Sequence, residues 1–256
     1  MKFGIMQYLL AGENDVDRFQ HAARLGFLGV EPELRREDLQ DAKSSRLAAL
    51  KSAREKTKLA IPSLCLGEYN GLIAKEDKTE RAAAIAEIKR AVDWAVELGA
   101  KVILVPFFFA GELKTEEDFA RAADGFKQIC AVAEKKGVKV AYEGTYPAEK
   151  LLALARAVGS VAFGDYFDLA NVVWLGMNTA DQIRKRGALI AQVHFKESLE
   201  GPGDCRPGKG CVDYAASAEA LKEIGYDSWL VFEVPKGGDV DIRADIAIAR
   251  YYFPIK

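Results

Sequence analysis

Short apolar runs rich in Val, Ile and Phe alternate along this chain with longer stretches in which apolar residues recur every three or four positions. The first pattern reads as a buried strand and the second as an amphipathic helix. The predicted strands are residues 2–8 (KFGIMQY), 28–32 (LGVEP), 59–66 (LAIPSLCL), 101–107 (KVILVPF), 139–144 (KVAYEG), 161–168 (VAFGDYFD), 189–195 (LIAQVHF) and 229–234 (WLVFEV). Several are almost continuously hydrophobic, as strands covered on both faces are. The helical stretches carry their own start and stop signals. Residues 78–99 place Ala84, Ile88, Val92 and Ala95 at helical spacing and stop at Gly99. Residues 115–137 open on Thr115 with Asp118 three positions later, a capping-box pattern, and stop at Gly137; residues 213–225 start at Asp213 and stop at Gly225.

Parallel strands joined by helices are wound with one hand, and eight such units close into a barrel more economically than they form an open sheet. The expected fold is therefore α/β, a single (β/α)8 TIM barrel spanning residues 1–256, a usual length for that fold. No G-x-G-x-x-G follows the first strand, which weakens the case for a dinucleotide-binding sheet. The longest loop, residues 197–212, follows the seventh strand and so falls on the face where barrels build their active sites.

Charge and composition narrow the partners. The chain has 36 basic and 38 acidic side chains, a formal net charge of −2. With no long run of one sign, this argues against nucleic acid or an anionic membrane and for a small-molecule ligand. No stretch approaches the roughly eighteen uninterrupted apolar residues of a membrane span, and the N-terminal stretch lacks a small-residue cleavage site. Cys65, Cys130, Cys205 and Cys211 never form C-x-x-C, so reduced thiols in a cytoplasmic protein are expected.

The chemistry is expected at the strand tips. Glu143, Asp168, His194 and Glu233 stand at the C-terminal ends of predicted strands five to eight, neighbours in a barrel. Three carboxylates converging there repel one another unless a cation compensates them. One divalent ion would do so, and an oxygen-rich set suits Mn²⁺, Mg²⁺ or Co²⁺, with Zn²⁺ also accommodated. The only other histidine, His21, falls in a helix and is expected on a solvated face.

Read in order, GFLGVEPEL, ELGAKVILVPF, GVKVAYEGTY, YFDLANVVWLG, QVHFKES, RPGKGCVDY and IGYDSWLVFEV resemble the xylose isomerase-like barrels. The likeness is greatest to the sugar isomerase/epimerase branch, which includes D-tagatose and D-psicose 3-epimerases and L-ribulose- and L-xylulose-5-phosphate 3-epimerases. It implies one metal held by Glu143, Asp168, His194 and Glu233, with Glu143 and Glu233 as the acid/base pair of a ketose 3-epimerase or sugar isomerase working through a cis-enediolate. It also implies Arg206, before the P-G-x-G turn, as a substrate contact, and dimers or tetramers as the assembly. Asn171 stands where many members carry a substrate-touching histidine. Tyr8, Phe108, Glu31 and Lys196 complete the expected substrate-binding set. CLGEYNGL, after the third strand, lacks basic residues for gripping a phosphate, whereas HFKES and GKGCVDY resemble the phosphate-using epimerases. Two histidines and a negative net charge oppose a DNA-repair endonuclease on the same barrel. An inosose dehydratase-like lyase is the alternative enzyme, and a metal-free sugar-binding barrel the alternative without catalysis.

Overall fold

The computed structural model describes residues 1–41 and 44–253. Its strands are β1 (Lys2–Met6), β2 (Gly29–Glu31), β3 (Ser63–Cys65), β4 (Val102–Phe107), β5 (Lys139–Gly144), β6 (Phe163–Asp168), β7 (Ile190–Phe195) and β8 (Trp229–Phe232). They run parallel in the order β2-β1-β8-β7-β6-β5-β4-β3. The circle closes between β2 and β3, where the Val30 N–H donates to Ala60 O and the Cys65 N–H to Pro32 O, both at 3.0 Å. The chain is a single (β/α)8 TIM barrel.

The helices around it are α1 (Asp15–Leu25), α2 (Arg36–Gln40), α3 (Arg46–Thr57), α4 (Lys78–Leu98), α5 (Glu116–Lys136), α6 (Ala148–Val158), α7 (Leu169–Trp174), α8 (Thr179–Arg186), α9 (Tyr214–Glu223) and α10 (Asp239–Tyr252). Their ends follow the signals in the chain. Thr115 and Asp118 form the reciprocal cap of α5, and Gly99 and Gly137 end α4 and α5 in the left-handed conformation that a glycine adopts without strain. No helix among the described residues is long and apolar enough to cross a membrane.

Three departures from the sequence reading bear on the site. Strand three is confined to Ser63–Cys65, because Pro62 has no N–H to give to a ladder. Strand eight stops at Phe232, yet Glu233 is still held in line, its N–H donating to Phe195 O at 3.1 Å. The β6–β7 pairing slips by one residue: Asp165 pairs with Ile190, but Tyr166 pairs with Gln192 and Asp168 with His194. Paired residues project to the same side of a sheet, so this irregularity sets Asp168 beside His194. His21 corrects an expectation. It is buried rather than solvated, its Nδ1 accepting from Ala11 N–H at 2.9 Å and its Nε2 lying 2.7 Å from Asp239 Oδ1 at the start of α10.

Candidate active site

Four adjacent strands deliver four side chains to one point at the barrel mouth. Glu143 comes from β5, Asp168 from the end of β6, His194 from β7 and Glu233 from just past β8, and one ligand atom of each lies within 4.8 Å of those of the others. His194 Nδ1 faces the group, 3.0 Å from Glu233 Oε2, 3.2 Å from Glu143 Oε1 and 3.9 Å from Asp168 Oδ2. Lys196 also reaches in, its Nζ 3.0 Å from Glu233 Oε2 and 3.6 Å from Asp168 Oδ2. His194 and Lys196 both lie at the β7 tip, two positions apart, the spacing that returns a side chain to the same face.

Burial sets the acidities. Glu143 is pushed up to about 7, chiefly by burial, which outweighs its contact with His194. Burial works the same way on Glu233, but the Lys196 ammonium and the His194 imidazole outweigh it and hold that carboxyl down to about 2. Asp168 is raised, again by burial first, with Lys196 opposing. Burial disfavours the charged imidazole of His194, yet Glu233, Glu143 and Glu31 together raise its pKa well above the usual range.

The residues fit a divalent ion on a particular observation, the two oxygens of Asp168. Oδ1 caps α7, accepting from Ala170 N–H at 2.7 Å and Asn171 N–H at 2.9 Å. Oδ2 is buried, accepts no hydrogen bond among the described residues and points into the cluster. A buried carboxylate oxygen left this way is costly, and a hard cation is its natural partner. Three carboxylates and one imidazole would also balance two positive charges with an excess that Lys196 offsets.

The remaining predicted residues divide by position. Glu31 is fully buried beneath His194, its Oε1 3.4 Å from Nε2. Tyr8 stands at the rim, 40% exposed, with Lys236 Nζ 6.0 Å from its ring centroid. Asn171 is buried in the first turn of α7. Phe108 is fixed through its backbone, its N–H donating to Asn70 Oδ1 at 2.7 Å and its carbonyl accepting from Asn70 Nδ2 at 2.9 Å. Arg206 is engaged with α10, where it pairs with Asp245 and lies 3.7 Å from Asp241, and it donates to Pro235 O at 3.1 Å.

Several residues that shape the site went unread in the sequence. Ser63, Tyr166 and Gln192 form a buried polar layer under the cluster. The signal was present, since Gln192 precedes His194 by two positions and Tyr166 precedes Asp168 by two, the strand period for one face. Glu197 is another: its carboxylate accepts from the N–H groups of Ser198, Gly208 and Val212 at 2.9–3.0 Å and so gathers the loop after β7. Beside Tyr8 lies a cavity of about 440 Å³ lined by Arg18, Arg35, Arg46 and Lys236 together with Glu33, Glu37 and Asp38.

The model of the xylose isomerase-like TIM barrel family matches residues 19–251. The chain is similar to L-ribulose-5-phosphate 3-epimerase UlaE of Salmonella typhi, at 28% identity over 257 aligned residues that cover 94% of this chain and 89% of that protein. It is 29% identical, with the same coverage, to the protein of that name in Escherichia coli. Among solved structures it is similar to 3-keto-D-glucoside 4-epimerase YcjR from E. coli, with a TM-score of 0.82 and 20% identity over 98% of this chain and 99% of that one. A D-psicose 3-epimerase structure determined in the presence of D-fructose gives a TM-score of 0.81 at 20% identity, with the same coverage. At those identities the structural likeness speaks for the fold. The family match spans most of the chain: this protein belongs to the xylose isomerase-like TIM barrel family, and its named relatives are sugar epimerases, enzymes of the isomerase class.

Proposed function

We propose that this chain is a divalent-metal-dependent 3-epimerase of a small ketose phosphate, with Glu143 and Glu233 as the groups that move the proton. The observation that carries this reading is their convergence: carboxylates from opposite ends of a four-strand arc each lie within 3.2 Å of the same His194 nitrogen. Glu143, Asp168, His194 and Glu233 would hold the ion, which when bound supplies Lewis acidity to stabilise negative charge developing on the sugar's oxygens.

The chain's own groups do the rest. A hydrogen on the carbon beside a ketose carbonyl is weakly acidic, so its removal needs a positioned base. Glu233, kept ionised by Lys196 and His194, is that base. Glu143, which burial lets hold a proton near neutral pH, supplies one to the opposite face of the planar enediolate, and the stereocentre inverts. The two roles exchange for the reverse reaction. Lys196 carries a positive charge beside the reacting centre, and Tyr8 is close enough to feel the charges of Glu233, Lys196 and His194. Arg206 reaches substrate only by leaving Asp245, so it stands outside the proton-moving set.

Two findings support a phosphorylated substrate. The relatives at 28–29% identity are named for L-ribulose 5-phosphate. The cavity beside Tyr8 sets four cationic side chains against three carboxylates, and a net positive cleft wall suits recognition of a phosphate. The test is incubation with matched ketoses and ketose phosphates in deuterated water containing Mn²⁺. The expected result is deuterium at carbon 3 of a pentulose phosphate and much slower exchange into the free sugar. Deuterium at carbon 1 or 2 would make the chain an aldose-ketose isomerase, and no exchange into any candidate would defeat the reading.

A further inference from the structure

Beneath the four ligand candidates lies the buried polar layer, and the proton transfer just described does not use it. Glu31, the last residue of β2, has no exposed surface. Its Oε2 accepts from the hydroxyls of Ser63 and Tyr166. Gln192 Nε2 in turn donates to Ser63 Oγ and, at 3.2 Å, to the Tyr166 hydroxyl oxygen. The other carboxylate oxygen, Oε1, faces His194 Nε2 at 3.4 Å, while Nδ1 on the far side of the same ring faces Glu143 and Glu233. The Tyr166 ring packs on the imidazole with centroids 4.3 Å apart, so the ring plane is held from the side as well.

The layout constrains where the hydrogen on the ring sits. An ionised carboxylate only accepts hydrogen bonds. Two hydroxyls spend their hydrogens on Oε2, leaving Oε1 to be satisfied by Nε2–H. A neutral imidazole with its hydrogen on Nε2 has its lone pair on Nδ1, and Nδ1 is the nitrogen aimed at the ligand cluster. Metal-binding histidines commonly depend on such a partner for tautomer and orientation. We propose that Glu31 is a positioning residue that holds His194 as the Nε2-protonated tautomer and so presents Nδ1 to the divalent ion. Its place below the imidazole, with no exposed surface, sets it apart from the substrate contact expected from the sequence. Ser63, Tyr166 and Gln192 keep its carboxylate in place.

This inference rests on the metal-dependent reading above. The chain has only two histidines, which makes a direct test practical. Zinc is titrated into wild type, Glu31→Gln and Tyr166→Phe by calorimetry, and ¹⁵N–¹H correlation spectra of the imidazoles are recorded with and without zinc. In wild type one imidazole, His194, is expected to shift at Nδ1 while Nε2 stays protonated, with the His21 signals unmoved as an internal reference. Glu31→Gln is expected to weaken zinc binding about 10–100-fold and to lose the single tautomer. Excess zinc should restore its kcat, with KM for the sugar unchanged, which neither a substrate contact nor a general loss of folding would show. Tyr166→Phe, which removes one donor to Glu31, should shift binding in the same direction by less, and it carries the test if Glu31→Gln does not fold. Wild-type zinc affinity in the folded variants, or a zinc-loaded His194 protonated on Nδ1, would overturn the inference alone. A wild-type protein that binds no divalent ion would overturn it together with the metal-dependent reading.

Discussion

Two buried aspartates on β6, three residues apart, show how the same side chain is put to opposite uses. Asp165 faces the helix layer, where Arg186 Nη1 donates to both of its oxygens at 3.1 and 3.2 Å and Nη2 ties the pair to Tyr146 O at 2.8 Å. Asp168 faces the barrel mouth with one oxygen spent on a helix cap and the other accepting no hydrogen bond among the described residues. A spacing of three along a strand sends the two side chains to opposite faces. The first has its charge neutralised within the fold and serves structure. The second keeps one buried oxygen in reserve, at a cost the fold must carry and that the proposed ion would relieve. Glu143 and Glu233 extend the comparison, for the fold leaves one near neutrality and pins the other as a carboxylate.

Withdrawing the free oxygen of Asp168 and the cation of Asp165 in turn should separate the two roles most strongly. Asp168→Asn keeps the Oδ1 cap but withdraws the charged oxygen from the cluster, and it is expected to abolish stoichiometric metal binding while the thermal midpoint of the metal-free protein stays at or above wild type. Arg186→Met should do the reverse. It leaves Asp165 buried without its cation, a loss of about 3–5 kcal/mol in chemical denaturation, with metal stoichiometry retained in the folded fraction. A smaller effect separates the two regions by pH. Binding of a divalent ion through His194 requires the imidazole to give up a proton, and its pKa is raised in the metal-free fold. Affinity is therefore expected to fall as pH drops from 8 to 6, by about tenfold per unit for each proton displaced. Calorimetry in buffers of different ionisation enthalpy counts those protons, and a pH-independent affinity from 6 to 8 would show that the cluster is already deprotonated.

Much of this was legible in the sequence because it depends on local period. Apolar runs between capped helices gave the barrel, and ligand-type residues at the tips of consecutive strands gave Glu143, Asp168, His194 and Glu233. What stayed hidden depends on contacts far apart in the chain. Glu31 reads as a substrate contact at a strand tip until Tyr166, 135 positions away, and His194, 163 away, are placed over it. His21 looks solvated until Asp239, 218 positions away, is brought against it. Arg206 stands in a glycine-rich loop that reads as a binding element, yet its guanidinium is claimed by α10, which begins more than thirty residues later. The one-residue slip that seats Asp168 beside His194 left no mark in the strand pattern, since it lies in how β6 and β7 pair and not in either strand alone.

In the proposed reaction Glu143 and Glu233 hand a proton across the two faces of one carbon. Solvent deuterium entering carbon 3 of the substrate, followed with metal-saturated wild type, Glu143→Gln and Glu233→Gln, reads out that transfer. The prediction is that both variants bind metal, if more weakly, and fold as wild type does, yet each loses about 10²–10⁴-fold in the rate of epimerisation. Each should also retain slow exchange only in the substrate epimer whose proton faces the surviving carboxylate. If either variant epimerises at the wild-type rate with metal bound, or if both lose exchange equally from both epimers, the two-carboxylate account is contradicted.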